Sequence, residues 1–394
     1  MSALHSNAGP TAWHLISGEY PPQLGGVSDY TRQVASALAR AGERVHVWAP
    51  VASGPTPIDP GVEVHRLQRR FSPRGLRKLG EALDSSDRPR RLLVQYVPQA
   101  FGYHGFNLPF CLWLTARREP LWLMLHEVVS PWGDGHTLKR DALAAVTRLM
   151  ALLAVKRADR VLVSVPAWRN LLATFLTPPE LTWLPVPTCL PTEPPVGSKE
   201  ACARLRTGHA AIIGHFGTYS PLITPLLRAA FLQLLRSDHR RLGLLLGRGS
   251  DAFAAQFLAE YPDLNGQVKA RAGLAPEDVA ASLCACDVIL QPYPDGISAR
   301  RTTAMASLAL GLPVVTNAGP LSEPLWSESG AVALTSEPSG RALAGAVEAL
   351  LESPGRRADL GERGRALYGA RFSLQRSVET LRDLARKEEM AARQ

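Results

Sequence analysis

Ser298, Arg300, Arg301 and Thr302 stand where an apolar strand, Asp287 to Gln291, passes through a Pro/Gly turn into an alanine-rich helix. The stretch after the strand reads PYPDGISARRTTAMASLALGLPVVTNAG. A helix N-terminus carries free N–H groups and a partial positive charge, and two guanidiniums beside it suit a diphosphate better than a neutral ligand. The same arginine pair is also what a solvated first turn contains. Other positions carry chemistry as well. Gly25 and Gly26 follow a strand and precede a helix, where small residues let backbone N–H groups approach a phosphate or a sugar. His126, with Glu127 next to it, ends a buried apolar run, at the carboxyl edge where open α/β sheets bind ligands.

These residues need a scaffold, and the hydrophobic pattern supplies one twice. Trp13 to Ser17 reads as a strand, and Val27, Tyr30, Val34 and Leu38 fall at helical spacing until Gly42. Val45, Val47 and Ala49 then alternate as a second strand. Such a strand, loop, helix, strand unit builds a parallel sheet, because parallel neighbours need a crossover. Leu92 to Val97, Leu121 to Leu125 and Val161 to Val165 are further compact apolar runs, with a helix near Lys139 to Lys156. Prolines 178, 179, 185, 187, 191, 194 and 195 crowd Thr177 to Glu200, a density that excludes a helix or a central strand and reads as an interdomain linker. A second alternation follows, with strands at Ala210 to Phe216, Leu242 to Leu246, Val268 to Ala270, Val288 to Gln291, Pro313 to Thr316 and Ala331 to Leu334. The expectation is an α/β chain of two domains, 1–190 and 191–394, with a helical tail.

Composition narrows the function. A chain of 394 residues, 46% hydrophobic and 20% charged, suits two folded domains. Five cysteines without a CxxC pair, no spanning apolar run and no signal-like start lead to the expectation of a cytoplasmic protein. The net charge of +9, carried mostly by arginine, favours phosphates, anionic lipid or nucleic acid. Arg66, Arg69, Arg70, Arg74, Arg77, Lys78, Arg88, Arg90 and Arg91 cluster in one segment, which reads either as a solvated helix pair or as a dock for an anionic membrane surface. No RNA- or DNA-recognition motif accompanies the charge, so nucleic acid is not an expected partner.

GEYPPQLGGVSDYTRQVASALARAGERVHVWAP, the HEV at 126 to 128 and the segment ending GLPVVTNAG together resemble the retaining, nucleotide-sugar-dependent glycosyltransferases of family 4, which have the GT-B fold. The resemblance covers almost the whole chain. It implies two Rossmann-like domains facing across a cleft, an acceptor on the first and a nucleotide-sugar donor on the second, with the final helix returning to the first. It implies that His126 and Glu127 act at the transferred sugar and that Arg300 and Arg301 are catalytic cations at the diphosphate. Gly25, Gly26, Gly217, Thr218, Gly247, Arg248, Asp295, Ser298 and Thr302 become donor-binding candidates.

The chain also departs from that family. The loop after Gly217 usually leads to an arginine and a lysine, but here Thr218 is followed by Tyr219, Ser220 and Pro221. The two glutamates common to the family fall on Ser298 and Ala306; Asp295 is the nearest carboxylate to the first, and nothing replaces the second. The SARR sequence resembles a Ser-x-Arg-Arg branch, in which Arg300 or Arg301 restores the cations missing from the Thr218 loop.

The function expected from these residues is a metal-independent hexosyltransferase moving a sugar, with retention, from a nucleoside diphosphate to a hydroxyl of a glycan, lipid-linked or small-molecule acceptor. No cofactor is called for. Neither an Asp-x-Asp motif nor a His/Cys ligand cluster stands in the linear sequence. The alternative is a degenerate sugar-nucleotide-binding or scaffold protein without turnover. A nicotinamide oxidoreductase would need a G-x-G-x-x-G fingerprint after a strand, which is lacking. Trp132, just after HEV, is the best placed tryptophan for stacking on a sugar.

Overall fold

A computed structural model describes residues 11–86, 88–132 and 137–391. Two compact units divide the chain, one ending at Pro185 and regaining the chain from Ser377 onward, the other running from Val186 to Arg376.

The first unit is built on seven parallel strands: β1 (Ala12–Ser17), β2 (Val45–Pro50), β3 (Val62–Leu67), β4 (Arg90–Tyr96), β5 (Leu121–Leu125), β6 (Arg160–Val163) and β7 (Leu181–Trp183). Their order is β3-β2-β1-β4-β5-β6-β7. Central strands β1, β4 and β5 are buried along their whole length, the condition under which a parallel strand reads as a continuous apolar run. The second unit repeats the plan with β8 (Ala211–Phe216), β9 (Arg241–Leu246), β10 (Val268–Arg271), β11 (Val288–Gln291), β12 (Val314–Asn317) and β13 (Ala333–Thr335), ordered β10-β9-β8-β11-β12-β13. In each sheet the order reverses beside the first strand, so each has a switch point: β1 against β4, and β8 against β11. Ligands of open α/β sheets bind at the carboxyl ends of the strands at such a point.

Three sequence expectations change. The proline-rich segment 177–200 is not linker throughout: Leu181–Trp183, free of proline, pairs with β6 as an edge strand, and a helix starts at Ser198. Val62–Leu67 is a strand that the pattern did not suggest, because at the sheet edge its residues are only half-buried. The basic cluster is not one surface. Arg90 and Arg91 are 3% and 2% exposed because β4 carries them into the sheet. Arg90 donates from Nη2 to Glu119 Oε1 at 2.8 Å. Arg91 lies with its guanidinium 5.1 and 4.7 Å from the Trp13 and Trp122 rings and donates to Glu388 at 2.9 Å. Arg66 donates to the Pro50 carbonyl and to Thr56. Only Arg69, Arg70, Arg74, Arg77, Lys78 and Arg88 of the cluster remain exposed.

Glu388 belongs to the final helix, Leu374–Ala391. Besides Arg91 it accepts from the Trp122 indole at 3.2 Å, and Arg382 donates to Glu43 at 2.8 Å. Buried charge is costly unless paired, so these ion pairs tie the tail to the first sheet.

Candidate functional site

At the switch point of the second sheet, β8 runs into His215-Phe216-Gly217-Thr218 and β11 into Gln291, Pro292 and Tyr293. Between them lies a cavity of about 200 Å³, bounded also by Arg300, Arg301, Thr302 and Thr303. Five of the candidates from sequence therefore share one space: Gly217, Thr218, Arg300, Arg301 and Thr302. The loop that lacks the usual cations faces the turn that carries two.

Arg301 caps the helix Thr302–Ala309, whose first turn contains no acidic residue. Asp295 takes both guanidiniums: Arg300 Nη2 donates to its Oδ2 at 2.8 Å, and Arg301 Nη2 donates to its Oδ1. The Arg301 guanidinium also lies 4.6 Å from the centre of the Tyr293 ring. With Asp295 29% exposed and the arginines 25% and 22%, solvent reaches all three, and the group of two cations and one carboxylate stays net positive. Asp295 itself is not on the cavity wall; it orients the groups that are.

Two acceptors complete the lining. His215 is 1% exposed, and its Nδ1–H donates to the Leu290 carbonyl at 2.8 Å. That bond fixes the tautomer and leaves Nε2 a bare lone pair without a partner among the described residues. Burial pushes the His215 pKa down to about 4, so the imidazole stays neutral. Gln291, fully buried, donates from its amide nitrogen to the Phe216 carbonyl at 2.9 Å, and its Oε1 likewise has no partner among the described residues. The cavity thus offers cations and a helix N-terminus for an anion, and two orphan acceptors for ligand N–H or O–H groups.

The remaining donor candidates lie around this space. Gly247 has φ of 104°, and a Cβ there would meet the Gly217 carbonyl oxygen at 2.3 Å, so it shapes the loop beneath the cavity. Arg248 is exposed and outside the lining. Ser298 is fully buried, with an Oγ unpartnered among the described residues, also outside the lining.

Glu323 was not foreseen. It is 7% exposed, and its two oxygens accept the Ala299 N–H at 3.0 and 3.3 Å while Oε2 takes the Trp326 indole N–H at 2.6 Å. Burial raises its pKa, opposed by these hydrogen bonds. The carboxylate therefore holds the Ser298–Arg301 turn from a loop more than twenty residues downstream, and only the polar Ser322-Glu323 step in an otherwise apolar stretch signals it.

The first unit has its own switch-point cluster. Gly25 and Gly26 open the helix Gly26–Arg40, but its first turn is already occupied: Glu19 accepts the Ser28 N–H at 3.1 Å. A Cβ on Gly25 would stand 2.5 Å from that carboxylate, so the absent side chain makes room for Glu19 rather than for a ligand anion, whereas Gly26 has nothing within 4 Å. His126, 7% exposed, has Nε2 2.7 Å from Gln95 Oε1 and packs edge-on with Tyr30; burial lowers its pKa to about 3. Glu127 is exposed. Trp132, 54% exposed, has one face at 4.4 Å from the Arg148 guanidinium.

Residues 25–187 match the model of the glycosyl transferase 4-like domain, and residues 228–383 that of a glycosyl transferase-like family. The chain belongs to the GT-B-type glycosyltransferases. The two models cover most of it, and solved structures reproduce the fold. Sucrose-phosphate synthase from Thermosynechococcus elongatus is 20% identical, with a TM-score of 0.72 over 97% of this chain and 100% of its own. Anabaena HepE in complex with UDP and glucose is 16% identical, with a TM-score of 0.70 over 96% and 100%. The UDP-forming α,α-trehalose-phosphate synthase from Burkholderia vietnamiensis is 13% identical, with a TM-score of 0.65 over 98% and 100%. At these identities the likeness concerns fold alone. Curated protein sequences give no match. No helix among the described residues is long and apolar enough to cross a membrane.

Proposed function

We propose that the protein transfers a sugar from a nucleoside diphosphate to a hydroxyl acceptor with retention, and that the cavity between β8 and β11 takes the donor diphosphate. The observation that carries this reading is the meeting, at a switch point, of Arg300, Arg301, a helix N-terminus and Gly217-Thr218 around one 200 Å³ space. Breaking the anomeric C–O bond develops charge on the leaving phosphate. Fixed guanidiniums and N–H dipoles stabilise that charge without reorganising, worth about 3 kcal/mol per well-placed donor. Thr218, Thr302 and Thr303 supply hydroxyl donors to the phosphate oxygens, and His215 Nε2 and Gln291 Oε1 accept from ligand N–H or O–H groups.

Arg300 and Arg301 supply fixed positive charge at the leaving phosphate without calling on an ion, and on that ground the reading takes the mechanism as metal-independent. His126 and Glu127 keep the role of touching the transferred sugar, and the acceptor is a glycan, a lipid-linked glycan or a small molecule. HepE with UDP and a UDP-forming synthase among the fold neighbours make UDP the first donor base to try.

The experiment is a calorimetric panel of UDP, GDP, ADP, TDP and CMP, then transfer assays with the matching sugars and NMR of the product anomer. The reading expects one nucleoside diphosphate to bind and its sugar to turn over with retention. No nucleotide binding overturns it; binding without turnover returns the non-catalytic alternative.

A further inference from the structure

In the first sheet, β2 and β3 pair with His46 opposite Glu63 and Trp48 opposite His65. Because strand side chains alternate, these four residues share one face, and the ladder assembles a ligand cluster that linear spacing does not show. His46 Nδ1 lies 3.2 Å from His65 Nε2. Glu63 reaches both rings, with Oε2 3.3 Å from His46 Nδ1 and Oε1 3.4 Å from His65 Nε2.

We infer that His46, Glu63 and His65 form a binding site for a divalent late transition ion of the zinc type, which clips the edge strand β3 to β2. An ion about 2.0–2.1 Å from tetrahedral nitrogen and oxygen ligands sets those atoms about 3.3–3.4 Å apart, and the three separations fall on or next to that edge length. The donor set decides the ion class. Two imidazoles with one carboxylate suit zinc and its first-row neighbours, whereas calcium and magnesium take oxygen ligands.

The rings are held in place before any ion arrives. His46 stacks on His14 with centroids 4.6 Å apart, and His65 stacks on Trp48 at 3.9 Å and 12°. Trp48 donates its indole N–H to His14 Nδ1 at 3.0 Å, which fixes the outer members of the stack. Ligands on strands, locked by packing, make a site more precise than ligands on loops. His46 and His65 side chains are 24% and 28% exposed and Glu63 is 65% exposed, so an ion has access, with a fourth position open to water. Strand β3 ends the sheet, and an ion bridging it to β2 protects an edge otherwise held by one ladder.

The test uses the full chain without a polyhistidine tag, stripped with EDTA and titrated with zinc chloride in a calorimeter, alongside His46→Gln, His65→Gln and Glu63→Gln. Wild type should bind one zinc per chain and melt at a higher temperature with it. Each histidine variant should lose more affinity than the roughly 10–100-fold that loss of an outer-shell partner costs. Glu63, exposed on the edge, tests the site without disturbing the fold, and its variant should weaken binding at least about tenfold. Cobalt(II) substitution should give a spectrum without thiolate charge transfer, which separates this site from the free cysteines. Absence of zinc binding in the wild type, unchanged affinity in Glu63→Gln and His65→Gln, or a thiolate-type cobalt spectrum each overturns the inference; the first leaves the 3.2 Å contact as a shared proton.

Discussion

Arg300→Ala and Arg301→Ala, alone and together, probe the proposed diphosphate site through a magnitude that its geometry sets. A charge-assisted hydrogen bond contributes about 1.5–3 kcal/mol. The guanidiniums are 25% and 22% exposed, so the lower half of that range applies. Each single variant should then bind the nucleoside diphosphate about 10–30-fold more weakly, at about 1.4 kcal/mol per decade. The double variant loses more than the sum, because Asp295, though outside the cavity wall, is left without either partner and repels the phosphate as an uncompensated negative charge. At about 7 Å and an effective dielectric near 40 that repulsion is about 1 kcal/mol. The double variant should fall about 500–5,000-fold, and adding Asp295→Asn should recover about five-fold. Fold integrity should survive, since partly exposed ion pairs contribute about 0–1 kcal/mol each. Calorimetry at fixed salt is the assay, with melting curves as the control. Unchanged affinity in the double variant, or no recovery in the triple, would refute this placement of the diphosphate.

Stability should fall in mild acid. Burial lowers the pKa of His14, His126 and His215 to about 3, 3 and 4 from 6.5. Below pH 6.5 the unfolded chain takes up protons that the folded chain refuses, so the stabilisation present above 6.5 is lost as pH falls toward these values. The loss is about 2 kcal/mol per histidine at pH 5, and urea denaturation at pH 7 and pH 5 reads it; equal stabilities would mean the rings are not held neutral. Gly247→Ala should cost about 1–3 kcal/mol and weaken nucleotide binding, because a Cβ at φ of 104° pushes into the Gly217 carbonyl. Unaltered melting would show that the loop yields freely. The exposed basic residues Arg69, Arg70, Arg74, Arg77 and Lys78 should hold the protein on vesicles rich in acidic lipid, by about 1 kcal/mol per residue at low salt, and release it as salt rises. Sedimentation indifferent to acidic lipid and salt would remove the membrane from the account.

How far the sequence spoke depended on how local each cause was. The apolar runs Leu121–Leu125 and Val288–Gln291 could be read as central strands because burial on both faces forces that composition. The turn that brings Arg300 and Arg301 to the cavity could be read because strand, Pro/Gly turn, arginines and helix start follow one another along the chain. Arg90 and Arg91 looked like surface because their partners, Glu119 and Glu388, lie about 30 and 300 residues away and no local signal announces such pairing. Glu323 was hidden for the same reason, as was the His46–Glu63–His65 cluster, which exists only once two strands are in register. Gly25 carried the right signal with a different cause, its space being taken by Glu19.

The central claim is that the cavity beside Arg300 and Arg301 recognises a diphosphate, and a comparison of UDP, UMP and uridine by calorimetry on the wild-type protein tests it most directly. UDP should bind at least about 30-fold more tightly than UMP, matching about 2 kcal/mol for one further phosphate against the arginines, and uridine should bind most weakly. The advantage of UDP should shrink as salt rises. Equal affinities for UDP and UMP, or no binding of either, would contradict it.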